Sequence, residues 1–241
     1  MLKTRCSDLD TIQIGIDEAG RGPLFGRVYA SAVVLPDLIP PTFKVIKDSK
    51  KFSSHNRLKD AAELIKAGCE ATGIGYCTCQ EIDELNIRRA THLAMHRAVR
   101  DLQTNAGYSD KDLSTRCTLL VDGNDFQPLT LFCEGDIVEV PSLCVPQGDA
   151  SYMQIAAASI LAKTQRDNYI DELVQANPDL HHKYKISNNK GYGTKDHISG
   201  IETYGITKWH RKTFGPCHCS TPNIRSNDVN VRCCDAPEGG E

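Results

Sequence analysis

Three places in the chain set a carboxylate beside glycine where an apolar run ends or a helix opens. These are Asp17-Glu18 ahead of Ala19-Gly20-Arg21-Gly22, Asp122 ahead of Gly123, and Asp149 after Gly148. Adjacent carboxylates repel, and burying them without a positive partner is strongly unfavourable. A buried strand that ends in such a pair therefore calls for a divalent cation or an arginine clamp. If the strands ending at Asp17 and Asp122 are neighbours, their ends lie about 5 Å apart, one sheet spacing. Asp149 joins them if the helix start lies close by. Four carboxylates in one small volume make a hard, all-oxygen site suited to Mg²⁺ or Mn²⁺. Pairs of such ions about 3.5–4 Å apart activate a water and stabilise the leaving oxygen of a phosphodiester. Each acid also has a plainer use. Asp17-Glu18 fits a solvated turn, Asp122-Gly123 a hairpin turn, and Asp149 a helix N-cap.

The elements that must deliver these residues can be traced in order. Ile12, Ile14 and Ile16 alternate with Gln13 and Gly15, the period of a strand with one buried face, and this strand runs into Asp17-Glu18. Residues 27–35, rich in Val and small side chains, predict a second strand, antiparallel to the first and ended by prolines. Ser53 or Ser54 is placed to cap a helix through Leu58, Ala61, Ala62 and Ile65, and 73–79 alternates as a third strand. Residues 81–102 carry a helical stripe at Ile87, Ala90, Thr91, Ala94 and Ala98. Residues 107–116 are expected to be a polar loop. Residues 117–121 form a short apolar run fitting a buried central strand, and 136–140 predicts the fifth strand. A long helix follows Gly148-Asp149 with Ile155, Ala158, Ser159, Ala162, Tyr169, Ile170 and Leu173 inward. The order predicts a mixed sheet with helices packed on it.

Composition limits the alternatives. The 241 residues are 40% hydrophobic and 24% charged, an ordinary globular mixture sized for one domain with a small appendage. No apolar run reaches the roughly 18 residues a bilayer span needs, so no membrane partner is expected. The first ten residues lack the apolar segment of a secretory signal, and eleven cysteines is an odd, scattered count. Free thiols in a cytoplasmic protein are the expectation. Net charge is −3, yet residues 182–216 hold seven Lys and Arg against two acids, a patch able to meet phosphates or to be a solvated face. The last 25 residues show no periodic apolar pattern and predict a flexible tail. Cys217, Cys219, Cys233 and Cys234 there have C-x-C and C-C spacings, poor matches to a zinc site.

The string GIDEAGRGPLFGRVYASAVVL resembles the opening of ribonuclease HII, the type 2 ribonuclease H family. The likeness continues in order through DSKKFS (48–53), IDELNIRRATHLAMHRAV (82–99), LLVDGN (119–124), QGDASYMQIAAASILAKTQRD (147–167), NKGYGTKDH (189–197) and ITKWHRKTFGP (206–216). The resemblance implies an α/β fold, a ribonuclease H-like mixed five-stranded sheet flanked by helices with a C-terminal helical subdomain. On that basis 1–176 would be the catalytic domain, 177–216 a basic substrate-binding subdomain and 217–241 the tail. It implies two Mg²⁺ or Mn²⁺ ions held by Asp17, Glu18, Asp122 and Asp149. The activity it implies is endonucleolytic cutting 5′ of ribonucleotides in RNA–DNA hybrids and at single ribonucleotides in duplex DNA, by a monomer. Primer removal and ribonucleotide excision repair would be its uses. The backbone of Gly20, Arg21 and Gly22 would read the 2′-hydroxyl, with Arg21 on a phosphate. Tyr192 matches the family tyrosine that stacks on the deoxyribose at an RNA–DNA junction. Lys50, Lys51, Lys163, His210 and Arg211 match basic positions near the substrate backbone, and Ser159 faces the site. Two departures stand out: Gln147 where a lysine often precedes Gly148-Asp149, and Lys185-Ile186-Ser187-Asn188 in place of a Gly-Phe stretch.

Overall fold

The computed structural model describes residues 2–6, 9–46, 52 and 54–218. The alternation at Ile12–Ala19 becomes strand β1, and Val28–Val34 becomes β2, paired antiparallel with Asp17 opposite Ser31. Helix α1 (His55–Gly68) starts at Ser54, whose side chain accepts from the Arg57 amide at 3.3 Å, the geometry of an N-cap. Strand β3 spans Ala71–Cys77 and pairs antiparallel with β2.

The stripe expected over 81–102 is two helices rather than one. α2 (Cys79–Leu85) opens on a Thr78–Glu81 capping box, and α3 (Ile87–Ala106) begins after Asn86. Asn86 sits at φ 66°, outside helical space, and caps α3 through the Arg89 amide. The polar loop expected over 107–116 holds helix α4 (Asp110–Arg116), opened by a Ser109–Asp112 capping box. Strand β4 (Cys117–Asp122) follows, parallel to β1.

The fifth strand of the sheet is not 136–140. β6 (Asp136–Glu139) pairs instead with β5 (Thr130–Cys133) in a separate two-stranded ribbon, and β7 (Ser142–Val145) completes the sheet beside β4. The five-stranded order is β3-β2-β1-β4-β7, antiparallel on the β3 side and parallel on the β7 side. That is the mixed sheet expected, with a different edge strand.

Helices α5 (Met153–Ala176) and α3 cover opposite faces. Alternation along β1 sends Ile14 and Ile16 into the α3-side core and Gly15 toward α5. A Cβ at Gly15 would stand 2.4 Å from the Gln154 carbonyl carbon, so the missing side chain is what lets α5 lie directly on the strand. α5 is buried almost all round from Met153 to Ala162, because α1 covers its outer side through Leu58, Ala61, Ala62 and Ile65.

Short helices α6 (Asp179–Tyr184), α7 (Ile186–Asn189), α8 (Lys195–Tyr204) and α9 (Gly215–His218) complete the described chain. They gather around Leu24, Phe25, Ile170, Leu180, Tyr184, Ile186, Ile201 and Cys217. Cys217 is therefore packed, while the tail expectation from residue 219 onward lies outside the described residues. The described cysteines are free thiols, and no described helix is long and apolar enough to cross a membrane.

Candidate active site

β1 and β4 run parallel in a register that pairs Ile16 with Val121, so Asp17 and Asp122 are the next residues on adjacent strand ends. These are carboxyl ends of parallel strands, where open α/β sheets place their sites. Asp122 Oδ1 accepts the Gly148 amide at 2.7 Å and the Asp149 amide at 3.4 Å, which ties the turn leading into α5 to the end of β4. Asp17 falls on the α5 face of β1, as Gly15 does, and hydrogen-bonds Ser159. The Glu18 amide donates to Asp17 Oδ1 at 2.6 Å.

Asp17, Glu18 and Asp122 line a cavity of about 280 Å³ together with Gly20, Arg21, Gly22, Ser159, Lys163 and Tyr192. Asp149 is buried beside it, its main chain held by Asp122, and does not line the cavity. A larger depression of about 450 Å³ at the opposite end of β1 is lined by Asp10, Asp37 and Glu70 together with Arg5 and Arg116, so basic groups accompany its acids.

The electrostatics of the cavity are unfavourable to an apo protein. Burial pushes the Asp17 carboxyl well above the usual carboxylate range, and the charges of Glu18 and Asp122 push it further, against the Ser159 hydrogen bond. Burial also raises Glu18, with Asp122 adding to it and Arg21, 3.5 Å away, opposing. Among the described residues no three acidic, histidine or cysteine side chains already form a coordination shell. The fit to a cation lies in the donor set: oxygen only, negatively charged, partly dehydrated and crowded with like charge, the conditions a hard divalent ion relieves.

The other expected residues separate into two groups. Lys163 is at the cavity and pairs with Asp167 at 2.6 Å. Tyr192 is about half exposed at its mouth, with Cε1 3.7 Å from where a Gly22 Cβ would be. Lys50 and Lys51 lie outside the described residues. His210 and Arg211 correct the expectation of direct backbone contact, because both are at most 1% exposed. Arg211 donates to three carbonyls, Gly20 (2.6 Å), Arg21 (2.9 Å) and Gly26 (2.9 Å), and so bolts the glycine turn from beneath. Burial, with the Arg166 charge behind it, pushes its guanidinium down to about 9.

His210 belongs to an oriented chain. The Thr207 amide donates to His210 Nδ1 at 2.9 Å, which leaves its proton on Nε2. Nε2 lies 3.1 Å from His197 Nε2, and His197 Nδ1 donates to the Tyr192 carbonyl at 2.9 Å. The backbone N–H at one end and the C=O at the other fix both tautomers as neutral imidazoles. Burial pushes His210 down to about 3, aided by its neighbour His197, which burial also lowers. The native state thus binds fewer protons than the unfolded chain below pH ~6.5, and stability falls with falling pH through that window. We expect about 2–3 kcal/mol to be lost from this residue between pH 6.5 and 4.5. Urea titrations of the wild type and His210→Asn at both pH values measure it as the difference in slope; parallel slopes would refute it.

Arg166 and His197 were not foreseen from the sequence. Arg166 carried a signal all the same, a charged residue on the apolar stripe Ala162–Arg166–Ile170 of α5.

A parallel-strand carboxylate site at the switch of a mixed sheet, walled by a glycine turn and a tyrosine, defines a metal-dependent nuclease of the ribonuclease H kind. The family model for Ribonuclease HII matches residues 14–217. A ribonuclease HII from Parabacteroides distasonis is 42% identical over 205 residues, covering 84% of this chain and 89% of that protein. The Porphyromonas gingivalis ribonuclease HII is 41% identical over 215 residues, covering 89% and 94%. The fold is similar to the crystal structure of ribonuclease H2 from Pyrococcus horikoshii OT3, with a TM-score of 0.62 at 21% identity, covering 86% and 95%. The chain belongs to the ribonuclease HII family. It is a divalent-metal-dependent endonuclease acting on the RNA of RNA–DNA hybrids.

Proposed function

We propose that the chain cuts the phosphodiester on the 5′ side of a ribonucleotide, both in hybrids and where one ribonucleotide stands alone in duplex DNA. Water adds to phosphorus and the P–O3′ bond breaks, leaving a 3′-hydroxyl and a 5′-phosphate. The observation that carries this is the placement of the Gly20–Gly22 turn and Tyr192 on the same cavity as Asp17, Glu18 and Asp122. A reader of the 2′-hydroxyl and a flat ring for the next sugar then flank the reacting phosphate.

Asp17, Glu18, Asp122 and Asp149 are the proposed holders of two Mg²⁺ or Mn²⁺ ions. When bound, such a pair supplies an activated water and stabilises the leaving oxygen. Ser159 keeps the Asp17 carboxylate turned to the cavity, and Asp122 spans from β4 to the Asp149 turn through its amide contacts. Arg21, largely exposed, is free to swing from Glu18 onto a phosphate. Lys163 offers a second charge on the α5 side. A protein that only bound nucleic acid would gain nothing from carboxylates that repel phosphate.

The test is a DNA duplex with one ribonucleotide, incubated with protein and titrated with Mg²⁺ or Mn²⁺. Cutting immediately 5′ of the ribonucleotide is expected, and replacing Tyr192 with Ala should lower it more than cutting of a long hybrid. Cleavage without metal, or hybrid cutting with the single-ribonucleotide duplex left intact, overturns the proposal.

A further inference from the structure

Arg166 is 1% exposed and, among the described residues, forms no salt bridge; the adjacent Asp167 pairs with Lys163 at 2.6 Å and faces His55 at 3.6 Å. Its hydrogen bonds go to main-chain carbonyls on two segments far apart in sequence. Nε donates to Arg27 (3.3 Å), and Nη2 donates to Phe25 (3.2 Å) and to Lys190 (2.9 Å). Nη1 is buried with no hydrogen-bond partner among the described residues. A buried cation held by carbonyl dipoles is a poor stabiliser, so stability does not account for a charge on this otherwise apolar stripe.

The geometry accounts for it. Gly20 lies against the guanidinium arm so closely that a Cβ there would be 2.2 Å from Nε and 2.4 Å from Cδ. On the other side, a Cβ at Gly191 would be 3.5 Å from Nη2, and Cζ is 5.9 Å from the centre of the Tyr192 ring. Arg166 is a flat slab wedged between the turn that carries Gly20–Gly22 and the turn that carries Tyr192. Lysine could not hold both, because one ammonium cannot reproduce a planar fork reaching two segments at once.

We infer that Arg166 is a positioning residue that sets the spacing between the 2′-hydroxyl-reading turn and the Tyr192 ring, and so sets preference for a ribonucleotide followed by a deoxyribonucleotide. This inference rests on the proposed function above. In a uniform hybrid every position offers a 2′-hydroxyl and the register of the ring matters less. At a lone ribonucleotide both readers must engage one dinucleotide step, so a displaced ring is felt there first.

The experiment measures kcat and KM of full-length wild type, R166K, Y192A and the double variant R166K/Y192A on a single-ribonucleotide duplex and on a long RNA–DNA hybrid, with thermal melts alongside. The ratio of kcat/KM between the two substrates should fall about tenfold in R166K, chiefly through kcat, with hybrid cutting largely retained. The double variant should fall no further in that ratio than Y192A, as expected when one residue acts through the other. Equal loss on both substrates, or an additive double variant, overturns the inference. If R166K fails to fold, G191A replaces it. A Cβ at Gly191, where φ is +87°, would press on Phe25 Cβ at 3.1 Å and shift the Tyr192 turn with Arg166 intact. An unchanged ratio in G191A then counts against the inference. Wild type that cuts the hybrid but never the single-ribonucleotide duplex refutes the proposed function itself, and the inference with it. An unaltered preference in R166K refutes the inference alone.

Discussion

Asp17→Asn is expected to lower kcat by about 10³-fold while raising the melting temperature of the metal-free protein. The two halves have one cause. Asp17 is 5% exposed and its carboxyl is raised by burial and by the charges of Glu18 and Asp122, so its anion is destabilised in the fold. Between the ordinary aspartate value and the raised one, the native state binds more protons than the unfolded chain. The metal-free protein therefore loses stability as pH rises through that window. An amide of the same shape removes the charge, keeps an acceptor for the Glu18 amide and can still meet Ser159. A gain of about 1–2 kcal/mol follows, read by thermal or urea unfolding at pH 8 in chelator. Divalent ions should reverse the ranking. At 100 times its dissociation constant a cation stabilises the wild type by about 2.7 kcal/mol, and Asp17→Asn should gain much less. A variant that is inactive and also destabilised without metal would mean that Asp17 is structural.

Asp17 and Asp122 were legible in the sequence because each sits where an apolar run stops, and β1 and β4 proved to be neighbours. The number of carboxylates in the cavity was less so, since Asp149 stands behind Asp122 and proximity between a helix start and a strand end has no local signature. The edge strand was misplaced for a definable reason. Alternation in 136–140 reports one covered face but not the sheet that strand joins, and β7 is a four-residue strand with half its positions exposed. Helix α4 was missed because its residues are mostly charged, although Ser109-x-x-Asp112 was a readable capping box. His210 and Arg211 show the limit of charge as a guide. Residue type reveals a cation or a titratable ring, while burial decides whether it meets phosphate or main chain.

Gly20 and Gly22 look alike in the sequence and should behave oppositely when each is changed to alanine. Gly20 has φ +97°, where a side chain is strained by about 1–3 kcal/mol. Its Cβ would overlap Arg166 Nε at 2.2 Å and Cδ at 2.4 Å. That arginine cannot step aside, because three carbonyls hold it and it is 1% exposed. Overpacking adds about 1–3 kcal/mol, so Gly20→Ala should cost about 2–6 kcal/mol in total, a large share of a domain's stability. At Gly22 the nearest atom to a new Cβ is Tyr192 Cε1 at 3.7 Å, an ordinary contact, and no positive φ is involved. Folding should change by less than about 1 kcal/mol there. The methyl would instead stand inside the cleft, between the turn and the ring, where the proposed function places a sugar. Gly22→Ala should therefore cut single-ribonucleotide duplex about 10²-fold more slowly with a near-normal melt. Urea unfolding of both variants, paired with rates on that substrate, separates a glycine the fold requires from one the substrate requires. If Gly22→Ala cuts at the wild-type rate, the 2′-hydroxyl is not read at this turn.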